Sequence, residues 1–85
     1  MNHYLYILKS KSAEKYYVGI SQNPQRRLEY HNTLEKGFTS RYRPWKIAFV
    51  KEYKSKSEAM SAERKIKLWK SRKMIEKIIN GELSL

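Results

Sequence analysis

Cysteine is absent from this 85-residue chain, which excludes disulfides, thiol nucleophiles and zinc sites with cysteine ligands. Aspartate is absent too, so every side-chain carboxylate belongs to one of eight glutamates, at positions 14, 29, 35, 52, 58, 63, 76 and 82. A centre that clamps two cations needs several converging carboxylates. Glutamates dispersed in this way suit a one-metal centre better. With only His3 and His31 as imidazoles there is no His-Glu zinc motif, and the three glycines form no phosphate-cradling loop. No stretch nears the roughly 18 consecutive apolar residues of a membrane span, and Met1 to Ser10 lacks the basic-then-apolar layout of a signal peptide. A cytoplasmic location with no membrane partner is expected.

Positive charge is what the chain has in excess: 19 Lys and Arg against eight acidic residues give a formal net charge of +11. Such a surface concentrates polyanions, and nucleic acid is the expected partner, bound through phosphate contacts that release counterions. The hydrophobic share of 40%, with seven Tyr, two Trp and two Phe, supports a packed core and not a basic tail. At this length there is room for one domain, spanning 1–85.

Residues 3–9, rich in aromatic and branched side chains, predict a strand with Tyr4, Tyr6 and Leu8 on one face. Ser10 to Lys15 is a polar turn, and Tyr16 to Ile20 is a second strand completing a hairpin. A register with Leu8 near Lys15 sets Tyr6 opposite Tyr17. Asn23 then caps a helix with Pro24 at its first position, running to about Glu35 and stopped before Gly37. Steps of about 100° per residue put Arg27, Leu28, Tyr30, His31 and Leu34 on the inward arc, with Asn32 outward. Gly37 to Pro44 reads as an exposed basic loop and Trp45 to Tyr53 as a third strand. Ser55 and Glu58 form a capping box opening a helix to about Lys70, with Ala59, Ala62, Ile66 and Trp69 as its apolar stripe and Glu63 at the stripe's edge. Ser71 caps a last helix to about Asn80, ended by Gly81. The order is ββαβαα.

Phosphodiester hydrolysis needs a group to activate water, charge to stabilise the transition state, and help for the leaving oxygen. Tyrosine is a weak base at neutral pH, but nearby cations favour its phenolate. Arg27 offers a planar fork for phosphate, and Glu63 is a hard oxygen ligand suited to Mg²⁺ or Mn²⁺. Structural roles compete for the same residues: Tyr6 and Tyr17 as amphipathic core, Arg27 and His31 as the fringe of that core, and Glu63 as the i, i+4 partner of Lys67. The cations Arg64, Lys65, Lys67, Lys70, Arg72, Lys73 and Lys77, beside a loop with Arg41 and Arg43, form a candidate nucleic-acid surface. Tyr42 and Trp45 are candidates for base stacking, with packing the simpler job for Trp45.

Taken in order, these residues resemble the GIY-YIG nuclease superfamily. Tyr4-Leu5-Tyr6 stands where that family has Gly-Ile-Tyr, with Tyr4 in place of the glycine, and Tyr17-Val18-Gly19 stands for Tyr-Ile-Gly. The likeness continues through Gly19 to Asn32, then Thr39-Ser40-Arg41 and Pro44-Trp45, to Ala62-Glu63-Arg64-Lys65-Ile66-Lys67. The resemblance implies an α/β (α+β) domain with a three-stranded antiparallel sheet flanked by helices, cutting DNA with one divalent cation, Mg²⁺ or Mn²⁺. It also implies site roles: Tyr17 as general base, Tyr6 at the nucleophile or phosphate, Arg27 on phosphate charge, His31 orienting or shuttling protons, and Glu63 on the metal. Thr39 and Arg41 would contact substrate, and Arg43 and Lys67 belong to the same cationic surface. The chain is most similar to the small stand-alone bacterial branch, without an appended target reader.

The expected function is therefore a metal-dependent DNA endonuclease selecting by structure or strandedness. The alternatives are a non-catalytic basic nucleic-acid-binding module and a nuclease subunit that needs a protein partner, which could be a second copy in a homodimer.

Overall fold

In the structure, a computed structural model that describes residues 2–84, seven elements follow the chain. They are β1 (His3–Ser10), β2 (Tyr16–Ser21), α1 (Pro24–Thr33), α2 (Phe38–Arg41), β3 (Trp45–Tyr53), α3 (Lys56–Trp69) and α4 (Arg72–Ile79). β1 is the central strand, antiparallel to both neighbours in the order β2-β1-β3. Its residues Leu5 to Leu8 are all buried because both faces of the sheet are covered. Leu5 and Ile7 join Val18, Ala62, Ile66 and Ile78 in the core formed with α3 and α4. Tyr6 and Leu8 point to the opposite face and pack with Trp45, Leu28 and Tyr17 on the α1 side. Fully burying a side chain such as Leu5 or Ile7 is worth about 1.5–3 kcal/mol, so β1 anchors both layers.

The hairpin register differs from the expected one by two residues. Leu8 lies opposite Tyr17, and Tyr6 lies opposite Gly19. A two-residue shift preserves side-chain parity, so Tyr6 and Tyr17 still share a face, as diagonal neighbours. Buried Ser10 determines where the turn closes: its Oγ accepts from the N–H groups of Ser12 and Ala13, both at 3.1 Å, and donates to the Tyr42 carbonyl at 2.7 Å. On the other side of β1, Ile7 faces Phe49 and Leu8 faces Ile47, leaving Ala48 as the extra residue of a β-bulge.

The helix caps form as their residues dictate. Asn23, Ser55 and Ser71 each accept a hydrogen bond from the N–H three residues on, at 3.1, 3.2 and 3.3 Å. α1 ends at Thr33, short of the expected Glu35, so Leu34 falls beyond the helix and is exposed instead of inward. Asn32 turns in: its side chain accepts from the Trp45 N–H at 2.6 Å and donates to the Trp45 carbonyl at 3.1 Å. The expected exposed loop from Gly37 to Pro44 contains the helical turn α2, with Thr39 buried. Buried Trp45 is the reason: its indole N–H donates to the Thr39 carbonyl at 2.8 Å, and Phe38 packs against its ring. Trp45 is thus core, not a stacking platform for bases. Among the described residues, no helix is long and apolar enough to cross a membrane.

Candidate active site

Three elements bring their polar side chains to the α1 face of the sheet. Tyr6 comes from β1, Tyr17 from β2, and Arg27 and His31 from successive turns of α1. The Tyr17 ring centroid lies 4.6 Å from that of His31 and 6.4 Å from that of Tyr6. The Tyr6 hydroxyl is hydrogen-bonded to His31 Nε2 at 3.0 Å. Arg27 stacks its guanidinium over Tyr30, 4.6 Å from the ring centroid, and its positive charge acts on the same hydroxyl. The arginine is thus braced by one aromatic residue within electrostatic reach of the phenols.

Burial sets the charge states. Desolvation raises the Tyr6 pKa above its ordinary value of 10.0, and the opposing pull of Arg27 does not overcome it. For this tyrosine the expectation that neighbouring cations favour the phenolate is therefore corrected, because only 1% of the residue is exposed. His31 is pushed the other way: burial, helped by the positive charge of Arg27, lowers its pKa from 6.5 and keeps the imidazole neutral at physiological pH. Its Nδ1 is buried without a hydrogen-bond partner.

Gly19 explains how Tyr6 reaches this position. A β-carbon there would lie 2.5 Å from Tyr6 Oη and 2.6 Å from Cζ, so the phenol crosses the strand where only glycine leaves space. The sequence carried one signal of this role, a glycine inside a strand, which commonly marks close approach by another group.

Glu63 stands on α3, half-buried, with its carboxylate 3.2 Å from Lys67 Nζ. Its negative charge is the last and smallest of the influences that act on the Tyr6 hydroxyl. Among the described residues, no group of three or more His or Glu side chains could enclose a metal ion. Glu63 by itself would supply one hard oxygen ligand, the kind of donor that an oxygen-preferring divalent cation takes alongside water and phosphate.

The remaining expected contacts fall elsewhere. Arg43 donates its Nε to the His31 carbonyl at 2.7 Å and an Nη to the Glu35 carbonyl, so its guanidinium clamps the end of α1. Thr39 is buried, and its Oγ1 has no partner. Arg41 is exposed at the end of α2, and Lys67 is exposed beside Glu63.

Known proteins share this frame. The chain matches the GIY-YIG catalytic domain over residues 2–77. A UPF0213 protein of Oceanobacillus iheyensis is 38% identical over 66 residues, covering 76% of each chain. The structure-specific endonuclease subunit SLX1 of Phaeosphaeria nodorum is 39% identical over 64 residues, which is 68% of this chain but 18% of that relative's length. The solution structure of a UPF0213 protein from Bacillus halodurans superposes with a TM-score of 0.60 at 29% identity, covering 94% of this chain and 84% of that one. With the matched region taking in both strands of the hairpin, α1 and Glu63, the chain belongs to the GIY-YIG catalytic domain family.

Proposed function

We propose that this domain is an endonuclease that hydrolyses DNA phosphodiester bonds, selecting by structure or strandedness and using one Mg²⁺ or Mn²⁺ ion. The observation that carries this reading is the convergence of Tyr6, Tyr17, Arg27 and His31 on one face of a chain with net charge +11. The SLX1 relative's name, a structure-specific endonuclease subunit, supports it.

In this reading water attacks phosphorus while the bond to the leaving oxygen breaks. Tyr17 is less buried than Tyr6 and takes the proton of the attacking water as its own passes to solvent, and a solvent water protonates the departing oxygen. Tyr6 stays protonated at neutral pH and acts as an oriented phenol on the phosphate side of the reaction, its hydroxyl aligned by His31. Arg27, within electrostatic reach of both phenols, balances the charge that builds on the phosphate. Glu63 holds the cation, which when bound supplies Lewis-acid stabilisation of that charge. Thr39 and Arg43 act by positioning α2 and His31, whereas Arg41 and Lys67 meet the phosphate backbone.

Purified protein incubated with branched, flap, single-stranded and duplex DNA plus metal tests this. Cleavage that disappears in both Tyr17→Phe and Glu63→Gln is the expected result. Salt-sensitive binding without turnover would instead establish a non-catalytic binder. A nuclease subunit acting with a partner is the second reading, favoured by the SLX1 relative being named a subunit. A stable complex in native mass measurement would support it.

A further inference from the structure

We propose that the groove between β2 and the corner joining α3 to α4 holds one unpaired nucleotide of the strand being cut. Resting on the endonuclease reading, this defines the substrate class as nucleic acid with a single-stranded segment beside the scissile phosphate.

The groove has a volume of about 420 Å³ and includes Tyr17, Val18, Ile66, Lys67, Lys70 and Arg72 in its lining. That lies in the range of about 300–1,000 Å³ typical of small-ligand sites, suitable for a base and its sugar and too small for a duplex. It lies on the α3 and α4 side of the sheet, separated from the phenols only by the edge strand β2. Tyr17 borders it and also stands 4.6 Å, ring to ring, from His31. Lys67 borders it and lies 3.2 Å from the Glu63 carboxylate. A strand that passes the phenols and turns round the β2 edge meets this groove next.

Its chemistry is divided as a nucleotide requires. Val18 and Ile66, both buried, give an apolar floor for a base, while Lys70 and Arg72 bring positive charge to the phosphates. Arg72 begins α4, at the positive end of that helix, and its Nη1 lies 3.4 Å from the Glu14 carbonyl across the hairpin turn.

Lys70 adds an independent observation. It terminates α3 in the left-handed conformation, with φ 47° and ψ 37°, the one non-glycine residue with positive φ among those described. Glycine is favoured at such a position because a β-carbon crowds the backbone there. A lysine where glycine would relax the backbone, placed in the lining of a cationic groove, fits a role in binding better than one in folding.

Lys70→Gly separates those roles, since it removes the cation and relieves the backbone. Fluorescence anisotropy with short oligo(dT), a 5′ flap and a blunt duplex, alongside thermal melting, gives the readout. The expected variant melts no lower than the parent, and its affinity for oligo(dT) and flap falls about 3- to 10-fold. Its salt dependence on oligo(dT) should lessen by about 0.7 in log–log slope, one phosphate contact on a single strand, while duplex binding changes less than about twofold. Arg72→Gln should repeat the pattern, and oligo(dT) should shift the methyl resonances of Val18 and Ile66 in the parent. Equal losses on duplex and oligo(dT), no loss on oligo(dT), or unmoved Val18 and Ile66 methyls would overturn the proposal. Strand-selective binding by protein that cuts nothing would uphold the groove and remove the endonuclease reading. Flap cleavage indifferent to both variants would do the reverse.

Discussion

A β-carbon on Gly19 would fall 2.5 Å from the Tyr6 hydroxyl oxygen, across the pair that joins the hairpin strands. Replacing glycine by alanine in an open strand position usually helps, by roughly 0.5–1 kcal/mol. Here Gly19→Ala should destabilise instead, by about 1–3 kcal/mol, because the ring must leave its place against the strand. Urea denaturation of the single variants and of the Gly19→Ala, Tyr6→Leu double variant checks this. Removing the far end of the ring removes the hydroxyl and Cζ clashes together, so the double variant should be more stable than the sum of the two singles, and additivity would show that the two residues do not compete for space.

The position of Gly19 also marks the boundary of what the sequence discloses. Caps were legible because they are local: Asn23 with Pro24, Ser55 with Glu58, and Ser71 each satisfy an N–H three residues away. The apolar stripe of Ala59, Ala62 and Ile66 was legible from its helical period. Hairpin register was not, since a five-residue turn from Lys11 to Lys15 leaves several pairings open until Ser10 bonds to a loop 32 residues on. The shared face of Tyr6 and Tyr17 survived that error because parity, not register, decides it. Leu34, Asn32 and Thr39 were misplaced for a common reason: α1 ends early and Trp45 draws the following segment inward. Arg27, His31 and Glu63 were singled out from residue type and order, and no local rule could have foretold the bond between Tyr6 and His31.

His31 should make stability pH-dependent. Burial lowers its folded-state pKa below the 6.5 of an exposed histidine, so the unfolded chain binds this proton at a higher pH than the folded one. Between the two values the unfolded state holds more protons, and stability rises with pH. The stabilisation is present above about 6.5 and lost as pH falls through the folded value. The urea midpoint should fall on acidification through the window, and His31→Gln should flatten that fall. An identical slope in the variant would refute the assignment.

Arg43 distinguishes positioning from substrate contact. Its guanidinium holds two backbone carbonyls, His31 and Glu35, at once, a geometry that lysine cannot reproduce. Arg43→Lys should therefore cost about 1–3 kcal/mol of stability, as expected for charge-assisted bonds to partly buried carbonyls. The salt dependence of DNA binding should stay near that of the parent because the positive charge is retained. A stable variant with weakened DNA binding would mark Arg43 as a phosphate ligand instead.

Single-turnover cleavage of a labelled flap by the parent, Tyr17→Phe and Glu63→Gln, with Mn²⁺ titrated from zero, tests the proposed chemistry most directly. Glu63 gives up only a surface pair with Lys67, worth about 0.2–0.5 kcal/mol, so Glu63→Gln should remain folded. The expected result is metal-dependent cleavage by the parent, saturating as one ion binds, and a loss of about 100-fold or more in each variant. Parent protein that binds the flap and never cuts it, or variants that cut as fast as the parent, would contradict it.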